Sequence, residues 1–152
     1  MTVKDLLITD FTDPVFQGMF KEYFGELEVK VNDWEGLWTE MNTQNGGNLA
    51  YIRICGGEPV GFIQFTEIIL EGWFLKERCG FIREFWVAKQ FRKQGHGTEL
   101  LCLAEKHLKN SGINRIVLTA EENEQRFYLS RGYRICESIE AKNHMAVSVK
   151  EV

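Results

Sequence analysis

The segment Val87-Ala88-Lys89-Gln90-Phe91-Arg92-Lys93-Gln94-Gly95-His96-Gly97-Thr98 constrains this chain more than any other. An apolar strand, Gly80 to Ala88, leads into it. A helical pattern leads out, with Leu100, Leu101, Ala104 and Leu108 on one face and Gly112 just past the last turn. Ile116 to Thr119 reads as the next strand. Strand, helix, strand over residues 80 to 120 is a parallel crossover, almost always right-handed, with ligands favoured at the carboxyl ends of its strands. Gly95 and Gly97 remove side chains that would hold a ligand off the backbone, and the helix start offers unpaired N–H donors and a positive dipole end. Arg92 and Lys93 add charge at the same spot. The turn is suited to a phosphate or pyrophosphate, although a glycine pair alone is equally compatible with a tight turn carrying exposed charges. A Walker loop would end in Gly-Lys-Ser/Thr and a Rossmann loop would put a third glycine where Leu100 stands; neither pattern is complete.

The rest of the chain supplies a meander around that unit. Leu6 to Ile8 reads as a first strand. Asp13-Pro14 then provides a capping residue and a proline suited to the first helical position. Phe16, Met19, Phe20, Tyr23, Phe24 and Leu27 recur at helical spacing. Asp33 caps a second predicted helix bearing Trp34, Leu37, Trp38 and Met41, which Asn45-Gly46-Gly47 breaks. Leu49 to Ile54 and Pro59 to Ile69 read as a hairpin around Gly56-Gly57-Glu58, with the strand from Gly80 continuing the meander. A short helix over Asn123 to Arg131 ends at Gly132, and strands follow at Tyr133 to Glu137 and His144 to Lys150. The 152 residues carry no repeat or linker and are read as one domain, 1–152.

Charge and cysteines narrow the function classes. Eighteen basic and 22 acidic residues leave a net charge of −4, which argues against nucleic acid or an anionic membrane as partner. Between Lys21 and Glu40, six acids and two bases account for all of that charge. Cys55, Cys79, Cys102 and Cys136 lack the close spacing of zinc or thioredoxin-like sites, and no His-x-His pattern suggests a metal. No metal is expected. Cys102, between Leu101 and Leu103, reads as packing. With no secretory signal and no apolar run near the roughly 20 residues of a membrane span, a cytoplasmic protein with free thiols is expected.

Two segments together carry a family resemblance. Arg92-x-x-Gly95-x-Gly97, after the strand Ile82-Arg83-Glu84-Phe85-Trp86-Val87, resembles the acetyl-CoA-binding motif of the GNAT superfamily of N-acyltransferases, and Phe127-Tyr128-Leu129-Ser130-Arg131-Gly132-Tyr133 is similar to its second signature. The resemblance implies an α/β (α+β) fold: a mixed, mostly antiparallel sheet of about seven strands flanked by about four helices, with one parallel βαβ crossover. It implies transfer of an acetyl group from acetyl-CoA to a primary amine by direct attack on the thioester, with a small cationic amine as acceptor. It is compatible with a homodimer. The chain departs from the family pattern at Glu121 and Glu124, where many members carry Asn and Ala; Asn123 is out of phase with the former.

Each chemical step then has a candidate. Backbone amides from Gln94 through Gly95, His96 and Gly97 to Thr98, with Arg92 and Lys93, would bind pyrophosphate, and the strand backbone of Phe85, Trp86 and Val87 would pair with pantetheine amides. Tyr128 would protonate the leaving thiolate, leaving core packing mainly to Phe127. Glu84 is the candidate base, with an ion pair to Lys76, Arg78 or another base as the competing role. Strand alternation places Ile82, Glu84 and Trp86 on one face. The early helices and the stretch Glu71 to Gly80, with Trp34, Trp38 and Trp73, are expected to wall the acceptor site, and the acidic run to rim it. A non-catalytic acyl-CoA-binding regulatory module, a peptide N-acetyltransferase and a nucleotide-binding α/β domain are the alternatives.

Overall fold

The computed structural model describes residues 2–43 and 47–152; Asn45 and Gly46, read above as a helix breaker, lie outside them. The elements are β1 (Val3–Ile8), α1 (Pro14–Glu26), α2 (Trp34–Thr43), β2 (Leu49–Cys55), β3 (Glu58–Gly72), β4 (Leu75–Val87), α3 (His96–Asn110), β5 (Arg115–Ala120), α4 (Glu122–Leu129), β6 (Arg134–Ile135) and β7 (Ala146–Glu151), with a single 3-10 turn at Lys89–Phe91. Seven strands form one sheet in the order β1-β2-β3-β4-β5-β7-β6, antiparallel throughout except β4 against β5. The mixed, mostly antiparallel sheet with four helices and one parallel crossover is the expected fold.

Local chemistry explains the helix starts. Asp13 Oδ1 accepts from the Phe16 N–H at 2.9 Å with Pro14 in the first turn, and Asp33 Oδ1 accepts from the Gly36 N–H at 2.9 Å. Phe16, Met19 and Phe20 of α1 and Trp38 and Met41 of α2 pack with Ile52, Phe62 and Trp86 on one face of the sheet. Leu100, Leu101, Ala104 and Leu108 of α3 pack with Ile63, Phe65, Ile82 and Ile116 on the other. Gly80 lets α3 cross close over β4: a Cβ there would lie 2.7 Å from Leu108 Cδ1, and the buried leucine would have to shift.

Four details differ from the expectations. The stretch Glu71 to Gly80 is a continuation of the β3–β4 hairpin, with Ile69 opposite Arg78 and Glu71 opposite Lys76, and the turn falls at Trp73-Phe74. Cross-strand pairing holds it, and a charged sequence without apolar alternation conceals it. The register shifts between Gln64 and Phe65, so Glu84 faces Gln64 while Ile82 faces Phe65 and Arg83 has no opposite residue. That bulge breaks the expected alternation: Ile82 packs on the α3 side with Phe85 and Val87, whereas Trp86 packs under α1. Trp38 is buried with Trp34 stacked on it at 5.3 Å, and Trp73 stands in solvent; none of the three lines the hollows beside β4 described below. Cys102 is exposed, not packed.

Candidate active site

β4 and β5 share only two parallel rungs, Gly80 with Ile116 and Phe81 with Val117. β4 then runs on to Val87 and β5 to Ala120 without pairing to each other. The strands splay, and the backbone groups of β4 that point toward β5 beyond Phe81 have no strand partner. Two connected hollows fill the wedge. One, of about 530 Å³, is lined by Phe85, Trp86, Val87, Arg92, Gly97, Asn123 and Phe127; the other, of about 400 Å³, by Phe81, Arg83, Glu84, Leu118, Thr119, Asn143 and Met145. Tyr23, Glu121, Glu124 and Tyr128 border both, so they stand where the two meet.

The glycine turn sits at the mouth of the first hollow. Gly95 caps α3 at φ 88, a left-handed conformation natural to glycine, and Lys93 adopts φ 62. The first intrahelical bond runs from the Glu99 N–H to the Gly95 carbonyl at 3.1 Å, which leaves the amides of His96, Gly97 and Thr98 ahead of the ladder as free donors. A Cβ on Gly97 would touch Phe85 at 3.7 Å and Phe127 at 3.9 Å, so glycine keeps this end of the wedge open. These donors and the unpaired β4 edge suit a ligand with anionic phosphates followed by an extended, amide-bearing arm.

Several expected side chains are engaged elsewhere. Arg92 Nε donates to the Val87 carbonyl at 2.8 Å and its Nη2 to Glu26 Oε2 at 2.7 Å, bracing the turn against α1. Burial is the largest single influence on the Glu26 carboxyl and would raise it, but the bond from Arg92, the Trp86 indole and the charges of Arg92 and Lys89 together hold the group below its ordinary range. Because Val87's carbonyl already accepts from Arg92, the open β4 edge lies mainly over residues 82 to 86. The Gln94 side chain turns back to the Gln90 carbonyl at 3.2 Å. His96 points its Nδ1 at Arg53 Nη1, 3.2 Å away, with its ring edge-on to Phe91. Lys93 and its neighbours at the turn are exposed.

Two arginines that sequence reasoning passed over organise this end. Arg53, buried on β2, grips Asp5 of β1 through two bonds of 2.8 and 2.9 Å and donates also to Glu99 in the first turn of α3. The bonds to Asp5 lead in raising its already high pKa, so it stays charged and pins the helix N-terminus to the sheet. Arg131 donates to Thr98 Oγ1 at 2.7 and 3.0 Å and lies over the Phe127 ring at 5.1 Å, bringing a second guanidinium to the α3 start.

Tyr128 and Glu84 line the same hollow. Tyr128 is 6% exposed, packing into the α3-side core while bordering both hollows, and Phe127 lies against the same core and lines the first hollow. The Tyr128 hydroxyl has no hydrogen-bond partner among the described residues; burial and then the charge of Glu124 push its pKa up, so it holds its proton at neutral pH. Glu84 is engaged by Tyr23 of α1, whose hydroxyl donates to Oε2 at 2.5 Å. Burial pushes the Glu84 carboxyl up, and the Tyr23 bond and Arg83 pull it back. Neither expected competitor holds it, since Arg78 binds Glu67 at 2.8 Å and Lys76 is on the distant end of the hairpin. Glu124 is also raised, by partial burial and the Glu121 charge. Of the acidic run, Glu26 alone borders the cleft; the acidic lining is Glu84, Glu121 and Glu124. No group of His, Cys, Asp and Glu among the described residues could hold a metal, and no described helix is long and apolar enough to cross a membrane.

Solved structures share this fold. A predicted acetyltransferase with acetyl-CoA from Clostridium acetobutylicum superposes with a TM-score of 0.76 at 16% identity, over 92% of this chain and 95% of that one. The PaiA N-acetyltransferase from Thermoplasma acidophilum in complex with coenzyme A gives 0.67 at 14% identity over 100% of both chains. An aminoglycoside acetyltransferase from an uncultured soil metagenomic sample gives 0.69 at 17% identity, over 92% of this chain and 91% of that one. No curated protein sequence matches the chain. Residues 3–133 match the model of the GNAT acetyltransferase family, a span that includes the glycine turn, the splayed strands and the Tyr128 helix. The chain belongs to the GNAT family of acetyltransferases, enzymes that use acetyl-CoA as acyl donor.

Proposed function

We propose that this acetyltransferase modifies the primary amine of a small cationic acceptor. The observation that carries the reading is the set of three carboxylates, Glu84, Glu121 and Glu124, lining the hollow that Tyr128 also lines. An ammonium group is drawn to such a site and must lose a proton there before it can act as a nucleophile.

The bound thioester supplies an activated acyl group. Everything else asked of the site belongs to this chain. The amides of His96, Gly97 and Thr98 bind phosphate oxygens, with Arg131 and Lys93 adding charge, and the β4 edge from 82 to 86 aligns the pantetheine arm. Tyr128 holds the proton that a leaving thiolate needs. Glu84 takes the proton of the acceptor ammonium, directly or through water; its raised pKa makes it a better base than an ordinary glutamate while the Tyr23 bond keeps it from being neutralised outright. Four unpaired cysteines support a reducing, cytoplasmic setting.

The test is thiol release from acetyl-CoA across polyamines, aminoglycosides, amino acids and peptide N-termini. Turnover confined to acceptors with two or more positive charges, with KM rising as salt is added, is the expected result. Turnover on neutral or anionic amines alone, or on peptides alone, overturns the cationic-acceptor reading.

A further inference from the structure

The β3–β4 hairpin outruns the rest of the sheet, and every residue from Glu71 to Arg78 is exposed. Its two-residue turn is Trp73-Phe74, with Trp73 99%, Phe74 96% and Leu75 81% accessible. Trp73 sits at φ 55, a region disfavoured for a bulky L-residue. The positive φ is what a two-residue hairpin turn demands of its first residue, but nothing among the described residues covers the tip. At the base of the same hairpin lies an apolar groove of about 640 Å³, walled by Ile68, Leu70, Phe81, Val117, Ile139 and Val147.

We propose that a second copy of this chain covers the groove, the Trp73-Phe74 tip of each copy entering the groove of the other about a two-fold axis. Knob and hole are both present on one chain, as a self-complementary interface requires. The groove residues Ile68 to Leu70 precede the tip by three to five positions, about 10–17 Å along the strand at ~3.3 Å per residue. Two antiparallel hairpins overlapping by that length bring each tip over the other groove, whereas a straight hairpin cannot return its own tip there. The charges match as well: Glu71 and Lys76 flank the tip, Glu140 and Lys142 flank the groove, and none of the four has an ion-pair partner among the described residues. Four aromatic side chains bury roughly 800 Å² and cover about as much groove wall, on the order of the 1,600 Å² of a standard specific interface. A lipid surface fits less well, because Glu67, Glu71 and Glu77 are interleaved with Lys76 and Arg78 and form no basic cluster. The groove shares Phe81, Leu118, Thr119 and Asn143 with the second hollow, so the partner's Trp73 closes the outer wall of the acceptor side; that consequence alone rests on the proposed function.

Sedimentation equilibrium over about 1–100 μM tests it by mass, independently of turnover. The wild-type chain should be a dimer. W73S/F74S and I139D should each weaken association at least tenfold while still unfolding cooperatively, and mixing the two should recover a heterodimer through the one intact tip and groove. Should I139D fail to fold, K76E weakens the dimer from the surface and K76E/E140K restores it. A monomeric wild type, a tip variant that remains dimeric, or a mixture that does not associate overturns the proposal. A monomer that instead co-sediments with phosphatidylcholine–phosphatidylserine vesicles overturns it in favour of a lipid surface. A wild-type dimer that transfers no acetyl group to any amine leaves it standing and removes the proposed acceptor.

Discussion

Replacing Tyr23 by Phe removes one hydroxyl and leaves the ring in its place between Phe20, Phe24 and Phe62. What is lost is the 2.5 Å hydrogen bond to Glu84, a bond made to the charged form of the carboxyl. Hydrogen bonds to charged groups contribute about 1.5–3 kcal/mol, which corresponds to roughly a 10- to 100-fold change in an equilibrium constant. The sign follows from the three influences on Glu84: burial raises its pKa, and Tyr23 and Arg83 lower it, so losing Tyr23 raises it further. A base works as the carboxylate, and activity is lost as pH falls through its pKa. On the acidic limb of the profile, kcat/KM of Y23F should therefore fall about 10- to 100-fold, with recovery toward wild type once the pH exceeds the displaced limb. Steady-state thiol release between about pH 6 and 10 measures this, and Y23F added to an E84Q background should cost nothing more. A limb that does not move, a loss uniform across pH, or a full Y23F penalty on top of E84Q would refute the assignment of Tyr23 as the positioning residue for a basic Glu84.

Y128F should lower kcat by about 10²–10⁴ while calorimetric affinity for CoA changes little, because the hydroxyl makes no structural bond; unchanged kcat removes it as proton donor. G97V adds branches where a Cβ already meets Phe85 at 3.7 Å and should abolish the CoA-induced rise in Tm without lowering the Tm of the free protein by more than a few degrees. G61A sets a Cβ 2.4 Å from the Trp86 carbonyl, a backbone atom that cannot move without disturbing the β3–β4 ladder; a loss of at least about 2 kcal/mol, or about 4–8 °C in Tm, is expected in thermal unfolding.

The crossover, both helix caps and the glycine turn were legible because each is local. Asp13, Asp33, Gly95 and Gly112 act within a few residues of where they stand. Contacts between distant segments were not. Tyr23 and Glu84 are 61 positions apart, and Tyr23 reads in sequence as one more member of an apolar stripe. The bulge at Gln64 leaves no compositional mark, yet it reverses the face of Ile82 relative to Trp86. β7 enters between β5 and β6, an order that two short apolar runs cannot express. The acidic run between Lys21 and Glu40 was conspicuous as a count, but of its acids, spread over two helices and the loop between them, Glu26 alone lines the cleft.

The two rungs between β4 and β5 also bear on mechanics. β1 to β4 form one stiff plate, and β5, β7 and β6 another, joined at Gly80 and Phe81 and tied by α3. A plate seam this short behaves as a hinge whose opening angle sets the width of the wedge. A ligand that pairs along β4 and contacts α4 bridges both plates, so its binding stiffens the joint from the open end. Amide hydrogen exchange in β4 and β5 should slow on CoA binding farther from the ligand than contact alone would account for.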